Sequence, residues 1–204
     1  MPSPETLLLR LNLGSPSLSG GAHGHGGLRR EHIAAALGMG SPPKALVWWA
    51  EARYLADPAN LSGLAKEAWV EFARLGKREQ WDRWHYERGR QLFRACAVVA
   101  LMEVLYEDLR ICGACKGRGE TRQLRTGKPV VVACPRCQGN RPVELTDATR
   151  LAYLNAGLET IGYGISSSSW YDVWRHRYYA AVVMIRAWDD ALRRHVRRYV
   201  GEAA

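Results

Sequence analysis

The sequence has no long hydrophobic run. No apolar stretch approaches the roughly 18 residues that a membrane-spanning helix needs. The stretch LLLRLNL near the start is short, is interrupted by Arg10 and Asn12, and is not closed by a small-residue cleavage site. We therefore expect no signal peptide and no membrane contact. The expected compartment is a reducing cytoplasm, where paired cysteines indicate metal or redox chemistry rather than structural disulfides.

The common catalytic motifs are also missing. Gly127-Lys128-Pro129 lacks the upstream glycine and the following Ser or Thr of a phosphate-binding loop, and the sequence has no H-E-x-x-H and no nucleophile elbow. His85 and His176 are isolated histidines on predicted helices, where a solvated or structural role is usual. We therefore expect no enzymatic activity and no small-molecule substrate.

Lysine is scarce, whereas arginine is abundant. The formal net charge is +9 and the pI is about 9.6. Arginine forks match the geometry of phosphates and carboxylates, so this balance favours a polyanionic partner, either nucleic acid or an acidic protein surface. Since 47% of the residues are hydrophobic, the chain is expected to fold around a substantial core.

Glycine, serine, proline and histidine dominate the sequence just before residue 28. We predict that residues 1–27 form a flexible N-terminal tail. His23 and His25 lie in this tail, but a glycine-rich segment holds no fixed ligand geometry, so neither is assigned to a metal.

Apolar residues recur at helical spacing over residues 28–110, which predicts an N-terminal helical block. Its third helix is predicted over 61–75 and to end at Gly76. A long fourth helix is predicted over about 78–110, with one apolar face. Cys96 lies in this helix and is predicted to be a small buried apolar residue rather than a nucleophile.

A C-terminal helical block is predicted over residues 142–204. Thr146 is expected to cap a helix over 146–159, and a glycine- and serine-rich turn leads to a last helix over about 168–199. The two helices and their turn have a helix-turn-helix-like form, although the turn is longer than in the tight version.

This helix pair predicts a DNA-binding site. The start of its second helix would enter a DNA groove, and its serines would meet phosphates. One flank of that helix also carries arginines at helical spacing, namely Arg175, Arg186, Arg193 and Arg197. An ordinary solvated face remains the alternative, because Asp190 lies on the same flank. The predicted DNA-binding residues are Ser167, Ser168, Arg175, His176, Arg177 and Tyr179.

Two Cys-x-x-Cys pairs lie between the helical blocks. Cys112, Cys115, Cys134 and Cys137 form the pattern C-x2-C-x18-C-x2-C, which is the spacing of a four-cysteine zinc site. Four thiolates complete the coordination of Zn²⁺, which favours a structural site over a catalytic one with an open position. Two matched pairs also argue against thioredoxin-like redox chemistry.

The segment around the cysteines, residues 111–141, is predicted to be a zinc-binding β-hairpin. Two strand-like stretches flank Thr126-Gly127-Lys128, and pairing them would bring the two cysteine turns together. Gly117 and Gly139 each follow a pair by two residues and are expected to permit a tight turn. The predicted fold is therefore mainly α, with helical blocks, an inserted four-cysteine hairpin segment and a helix-turn-helix-like pair.

These stretches together resemble the late-gene antitermination (Q) proteins of lambda-like phages. The likeness lies in the order HIAAALGMG, a helical block, CGACKGRG, GKPVVVACPRCQGN, TDATRLAYL and SSSSWYDVW, and it covers residues 28–199. It implies a cytoplasmic protein of a bacterial host that binds double-stranded DNA at a late promoter. It also implies loading onto paused host RNA polymerase with its sigma factor, followed by read-through of terminators.

Two other interpretations remain open. Residues 112–119 also match the Cys-x-x-Cys-x-Gly-x-Gly zinc motif of J-domain co-chaperones, but the chain has neither the additional repeats nor the His-Pro-Asp loop of that class. The stronger alternative is a zinc-stabilised DNA-binding repressor or activator of transcription, which would need no polymerase after initiation.

Overall fold

The chain folds mainly as helices, as the sequence predicts. The computed structural model describes residues 30–55, 57–81, 87–107, 112, 114–115, 118–125, 128–139, 144–159 and 161–201, so the predicted tail at 1–27 and the hairpin turn at 126–127 lie outside the described residues. No helix among these ranges combines the length and the apolar character needed to cross a bilayer.

The described residues between 30 and 107 form four helices. Helix α2 continues without a break into a π-helical turn at Glu51–Leu55. The helices are α1 (Arg30–Leu37), α2 (Lys44–Ala50), α3 (Leu61–Arg78) and α4 (Glu87–Leu105).

The hairpin consists of β1 (Glu120–Arg125) and β2 (Lys128–Ala133), which pair antiparallel. It is followed by α5 (Asp147–Glu159), the short helix α6 (Ser167–Ser169) and the long helix α7 (Arg175–Val200), with a π-helical turn at Trp170–Trp174 joining the last two.

The starts of α5 and α6 are set by hydroxyl caps. The backbone N–H of Thr149 donates to Thr146 Oγ1 at 3.2 Å, which confirms the cap predicted for this helix. Ser166 caps α6 in the same way, through the N–H of Ser169. Between the two helices, the Asn155 side chain exchanges two hydrogen bonds with the backbone of Ile165, which fixes the connection.

The predicted boundary between the third and fourth helices is wrong. Helix α3 passes through Gly76 and ends at Arg78, and residues 79–81 form a turn in which Gln80 has a φ of +53°. A Cβ on Gly76 would lie 3.0 Å from ring atoms of both Trp81 and Phe93. This glycine therefore allows two aromatic rings to approach the helix rather than ending it.

Helix α4 lies at the centre of the helical part. All residues from Ala95 to Leu105 are buried, and α3, α5 and α7 pack against it. Cys96 is fully buried there, as predicted, and burial raises the pKa of its thiol. Side chains from both sides of the cysteine segment fill this one core, whereas the four paired cysteines form a separate cluster.

A buried ion pair ties α4 to α5 and α7. Arg150 donates to both carboxylate oxygens of Glu103, from Nε at 2.9 Å and from a terminal nitrogen at 2.6 Å, and each residue is 6% exposed. The Tyr178 hydroxyl donates to the same carboxylate at 2.7 Å. Since a buried charge needs partners for all its hydrogen-bonding positions, these three residues fix how the helices meet.

A second carboxylate, which is partly buried, joins α2 to α7. Asp189 accepts hydrogen bonds from the Tyr54 hydroxyl at 2.6 Å and from Trp49 Nε1 at 3.2 Å, and it pairs with Arg193 at 3.1 Å. Burial raises the pKa of Asp189, but these hydrogen bonds and the charge of Arg53 outweigh burial and hold the pKa below its ordinary value. The pKa of Tyr54 shifts in the other direction. Burial, and after it the hydrogen bond to Asp189, raises the pKa of Tyr54 to about 12.

We predict that Arg150→Met lowers the free energy of unfolding by about 3–5 kcal/mol, because it leaves the Glu103 carboxylate buried without its cation. Urea denaturation followed by circular dichroism measures this change. Arg94→Met is the matched control, since Arg94 is an exposed arginine on α4 and its replacement is expected to cost less than about 0.5 kcal/mol. Equal losses in the two variants would contradict the assigned role of the ion pair.

Candidate metal centre

The hairpin brings the two cysteine turns together. Its register pairs Glu120 with Ala133, so the residues just outside the strands lie side by side. The backbone N–H of Cys134 donates to the carbonyl of Gly119 at 2.8 Å and closes this end of the ladder. Strand pairing thus places the described residues of the first turn, 112, 114–115 and 118–119, next to residues 134–139, as the sequence pattern predicts.

All four cysteine sulfurs meet at one point. The Sγ atoms of Cys112 and Cys134 are 3.9 Å apart, those of Cys115 and Cys137 are 3.7 Å apart, and all four lie within 4.8 Å of one another. These separations are far longer than the roughly 2.05 Å of a disulfide bond. Accordingly, the described cysteines are all free thiols.

The sulfur positions fit a tetrahedral metal ion. A metal–sulfur distance of about 2.3 Å requires sulfur–sulfur separations of about 3.8 Å at the edges of the tetrahedron. The two measured edges lie on either side of that value. Three of the cysteines are fully buried and the fourth, Cys137, is 8% exposed, so the four thiols would enclose an ion.

Backbone groups support the sulfur atoms. The N–H of Gly119 donates to Cys115 Sγ at 3.3 Å, and a backbone hydrogen bond from Gly139 reaches Cys137. Desolvation and hydrogen bonds with the neighbouring thiols raise the pKa of Cys137 above its ordinary value, and the Gly139 bond only partly offsets this effect. Metal binding at Cys137 would displace a proton, because the thiolate is the form that binds a metal.

Two glycines make the close approach of the turns possible. Gly119 has a φ of +78° and Gly139 a φ of +88°. The value at Gly139 agrees with the tight turn predicted there, and Gly117 lies outside the described residues. A Cβ on Gly119 would stand 2.9 Å from the Gly139 carbonyl oxygen. The sequence motif contains Gly119, but its contact with the other turn is visible only in the structure.

The predicted DNA-binding residues have different environments. Ser167, Ser168, Arg175 and His176 are exposed. Arg175 is not a free cation, however, because its Nε lies 2.8 Å from Asp147 Oδ2. The Tyr179 hydroxyl, which is half-buried, donates to Asp147 at 3.0 Å and accepts from Arg150 at 2.8 Å. Asp147 thus joins two of the predicted residues, a role that the sequence reasoning missed.

Arg177 does not lie on the surface, in contrast to its prediction as a DNA contact. It is 5% exposed, and its guanidinium lies over the rings of Trp81, Phe93 and Trp174 at 5.3–5.8 Å from their centroids. The turn after α3 brings Trp81 against α7, where its ring covers the Arg177 side chain. Arg177 therefore belongs to the aromatic core and presents no group to a phosphate in this conformation.

The arginine flank of α7 is largely neutralised. Besides Arg175, Arg186 pairs with Glu107 at 3.1 Å and Arg193 pairs with Asp189. Only Arg197, of the four arginines that the sequence groups together, has no ion pair within the described part of the chain. The flank is therefore less positive than its sequence indicates.

The hairpin carries exposed cations close to the cysteine cluster. Arg118, Arg122 and Arg136 are exposed, and none of them pairs with an acid among the described residues. The sequence signal for these residues is the density of basic residues within the cysteine segment, which the sequence analysis did not link to a function.

Comparison with known proteins gives no identification. Neither a protein-family model nor a curated protein sequence matches this chain.

We predict that the purified chain holds one metal ion and that Cys115→Ser or Cys134→Ser abolishes its retention, because removing one thiolate opens the tetrahedron. Elemental mass spectrometry after gel filtration measures the metal-to-protein ratio. A ratio near zero in the wild-type protein, prepared without chelator, would contradict a metal centre.

Two glycine substitutions, one of them a control, test whether metal retention needs the close approach of the cysteine turns. Gly119 and Gly162 both have positive φ, of +78° and +70°, but nothing lies within 4 Å of a Cβ placed on Gly162. Gly119→Ala should weaken metal retention in a chelator competition, whereas Gly162→Ala should cost only about 1 kcal/mol of stability and leave the metal in place.

Proposed function

We propose that this protein is a zinc-stabilised transcription factor that lets RNA polymerase pass terminators. The observation that carries the proposal is the closed four-thiol cluster on a basic hairpin, inserted between helices that share one core. The order of these parts along the chain resembles that of phage late-gene antitermination proteins. The protein acts by binding rather than by catalysis.

Zinc is the cation that the donor set favours. Four thiolates in a tetrahedral arrangement suit Zn²⁺, and a complete set of protein ligands leaves no position for substrate or water. Cys112 and Cys115 together with Cys134 and Cys137 would hold the ion, which would supply a structural cross-link between the two ends of the hairpin.

Double-stranded DNA is the proposed nucleic acid. The exposed cations Arg118, Arg122 and Arg136 surround the zinc segment, and a two-stranded ribbon of this kind fits the major groove. Phosphate contacts by such arginines give affinity without sequence preference, so base contacts must come from elsewhere on the surface.

The start of the last helical stretch is the proposed second contact. Ser167, Ser168, Arg175 and His176 are exposed there, with Tyr179 at the edge, whereas Arg177 is omitted because it is buried. Contact with a phosphate would replace the Asp147 carboxylate by another oxyanion, so Arg175 would keep a charge-assisted hydrogen bond.

The proposed mechanism requires RNA polymerase as the second partner. The resemblance implies that the protein binds a late promoter, joins host polymerase paused with its sigma factor and travels with it in the bacterial cytoplasm. An intrinsic terminator acts when an RNA hairpin folds at the exit channel. A protein that occupies or narrows that channel blocks the hairpin and thereby allows read-through.

For DNA binding, we predict that Arg175→Ala weakens binding to the cognate promoter and reduces the salt slope by about one, since one phosphate contact is lost. Fluorescence anisotropy across a salt titration measures both quantities. Arg90→Ala is the matched control, because Arg90 is an equally exposed arginine paired with Glu87 on another helix. Identical curves for Arg175→Ala and wild type would remove this residue from the site.

For transcription, we predict that the protein raises the read-through fraction at an intrinsic terminator in a single-round assay with purified polymerase. The effect should disappear when the promoter-proximal DNA element is scrambled, because loading occurs at the early pause. The zinc-free Cys115→Ser protein serves as a second control. A change in the number of transcripts with a constant terminated fraction would instead identify a repressor or activator.

A further inference from the structure

Helices α3 and α7 form an open groove on the surface. The helices run antiparallel. Trp188 Nε1 on α7 donates to Glu71 on α3 at 3.0 Å, whereas Arg177, earlier on α7, lies over Trp81, which comes after the C-terminal end of α3. The groove between them has a volume of about 700 Å³. Its lining residues are Glu71, Arg74, Leu75, Arg78, Ala180, Val183 and Met184.

The floor of the groove is apolar and accessible to solvent. Val183 is 67% exposed, and it lies with Ala180 and the exposed Ala187 at helical steps of three and four residues along α7. The solvent face of a helix is normally polar, so these three residues give this part of α7 an apolar face that a partner could cover. Met184 adds an unbranched side chain that adapts its shape to a partner.

The rim of the groove is positive. Arg74 and Arg78 lie along the α3 edge, and Arg74 has no ion pair among the described residues. Arg78 meets Glu79 at 3.2 Å, but both side chains are largely exposed, so that pair holds Arg78 weakly. Glu71, which accepts the hydrogen bond from Trp188, is the single acidic residue in the lining, against the two arginines.

We propose that this groove binds an amphipathic helix of a partner protein, with large apolar residues on one face and acidic residues along its flanks. A helix laid between α3 and α7 would bury the apolar stripe and place carboxylates next to Arg74 and Arg78. This interaction surface lies outside the proposed metal and DNA sites and does not depend on either.

Charge favours this occupant over two others. DNA would bring phosphates to the rim but would leave the apolar floor unpartnered. A second copy of the chain, related by a two-fold axis, would place the same positive rims near each other. With a net charge of +9, self-association through this face is therefore disfavoured.

The test uses a defined probe. A fluorescein-labelled 18-residue helical peptide would carry Leu at alternating steps of three and four and Glu on both flanks, and a control peptide would carry Lys in place of Glu. We expect saturable binding of the acidic peptide to the full chain in fluorescence anisotropy and at least about tenfold weaker binding of the Lys peptide. Equal binding of the two peptides, or no binding of either, would overturn the proposal.

Two pairs of variants locate the binding surface. Val183→Asp should weaken binding of the acidic peptide about tenfold, whereas Val131→Asp, which alters an exposed valine of the hairpin, should not. The double replacement Arg74→Glu with Arg78→Glu should also weaken it, unlike Arg194→Glu with Arg198→Glu on the exposed end of α7. Thermal unfolding checks that each variant is folded.

Sedimentation velocity tests the alternative occupant. A wild-type dimer that Val183→Asp converts to monomer would show that a second copy covers the groove and would overturn the proposal. A wild-type monomer, together with the variant effects above, would support it. Because the peptide assay contains neither DNA nor polymerase, its failure is distinguishable from failure of the proposed transcriptional role.

Discussion

The buried carboxylate of Glu103 is the constraint on which the helical arrangement depends. It lies in the stretch Ala95–Leu105 of α4, where the other residues are apolar and buried, and it is itself only 6% exposed. Arg150 must therefore bring α5 to it, and Tyr178 must bring α7. Packing of apolar faces alone tolerates small slides between helices, whereas a bidentate ion pair with a hydroxyl partner fixes both distance and direction.

The same constraint extends towards the surface. Arg150 also donates to Tyr179, whose hydroxyl contacts Asp147, and Asp147 in turn holds Arg175. A chain of polar contacts thus links the centre of α4 to a cation that we assign to DNA binding. In the free protein this chain positions Arg175, and contact with a phosphate would replace its bond to Asp147.

Much of the architecture is predictable from the sequence because periodicity and capping are local signals. The Thr146 cap, the hairpin pairing and the meeting of the four cysteines all follow from residues close to one another or from standard spacing. Gly76 shows where local reasoning fails: it resembles a helix end in sequence, but its role is set by Trp81 and Phe93, which reach it through tertiary packing.

The functional surface is less predictable, because exposure and pairing are tertiary properties. A helical wheel places Arg177 beside the buried face of α7, yet it cannot show that three aromatic rings lie against the guanidinium. In the same way, Arg186 counts as a positive charge in the sequence but is compensated by Glu107, 79 positions away. Net charge therefore overstates what a polyanion would meet on α7.

The position of the thiols along the chain has a thermodynamic consequence. Each cross-turn contact, Cys112 with Cys134 and Cys115 with Cys137, spans 22 positions. A covalent cross-link over a loop of that length would raise the free energy of the unfolded chain by about 3 kcal/mol, because it removes conformational entropy. A bound cation would impose a comparable cost through bonds that exchange, so the order of the hairpin would respond to metal supply and to competing thiols, whereas a disulfide over the same span would not respond to metal.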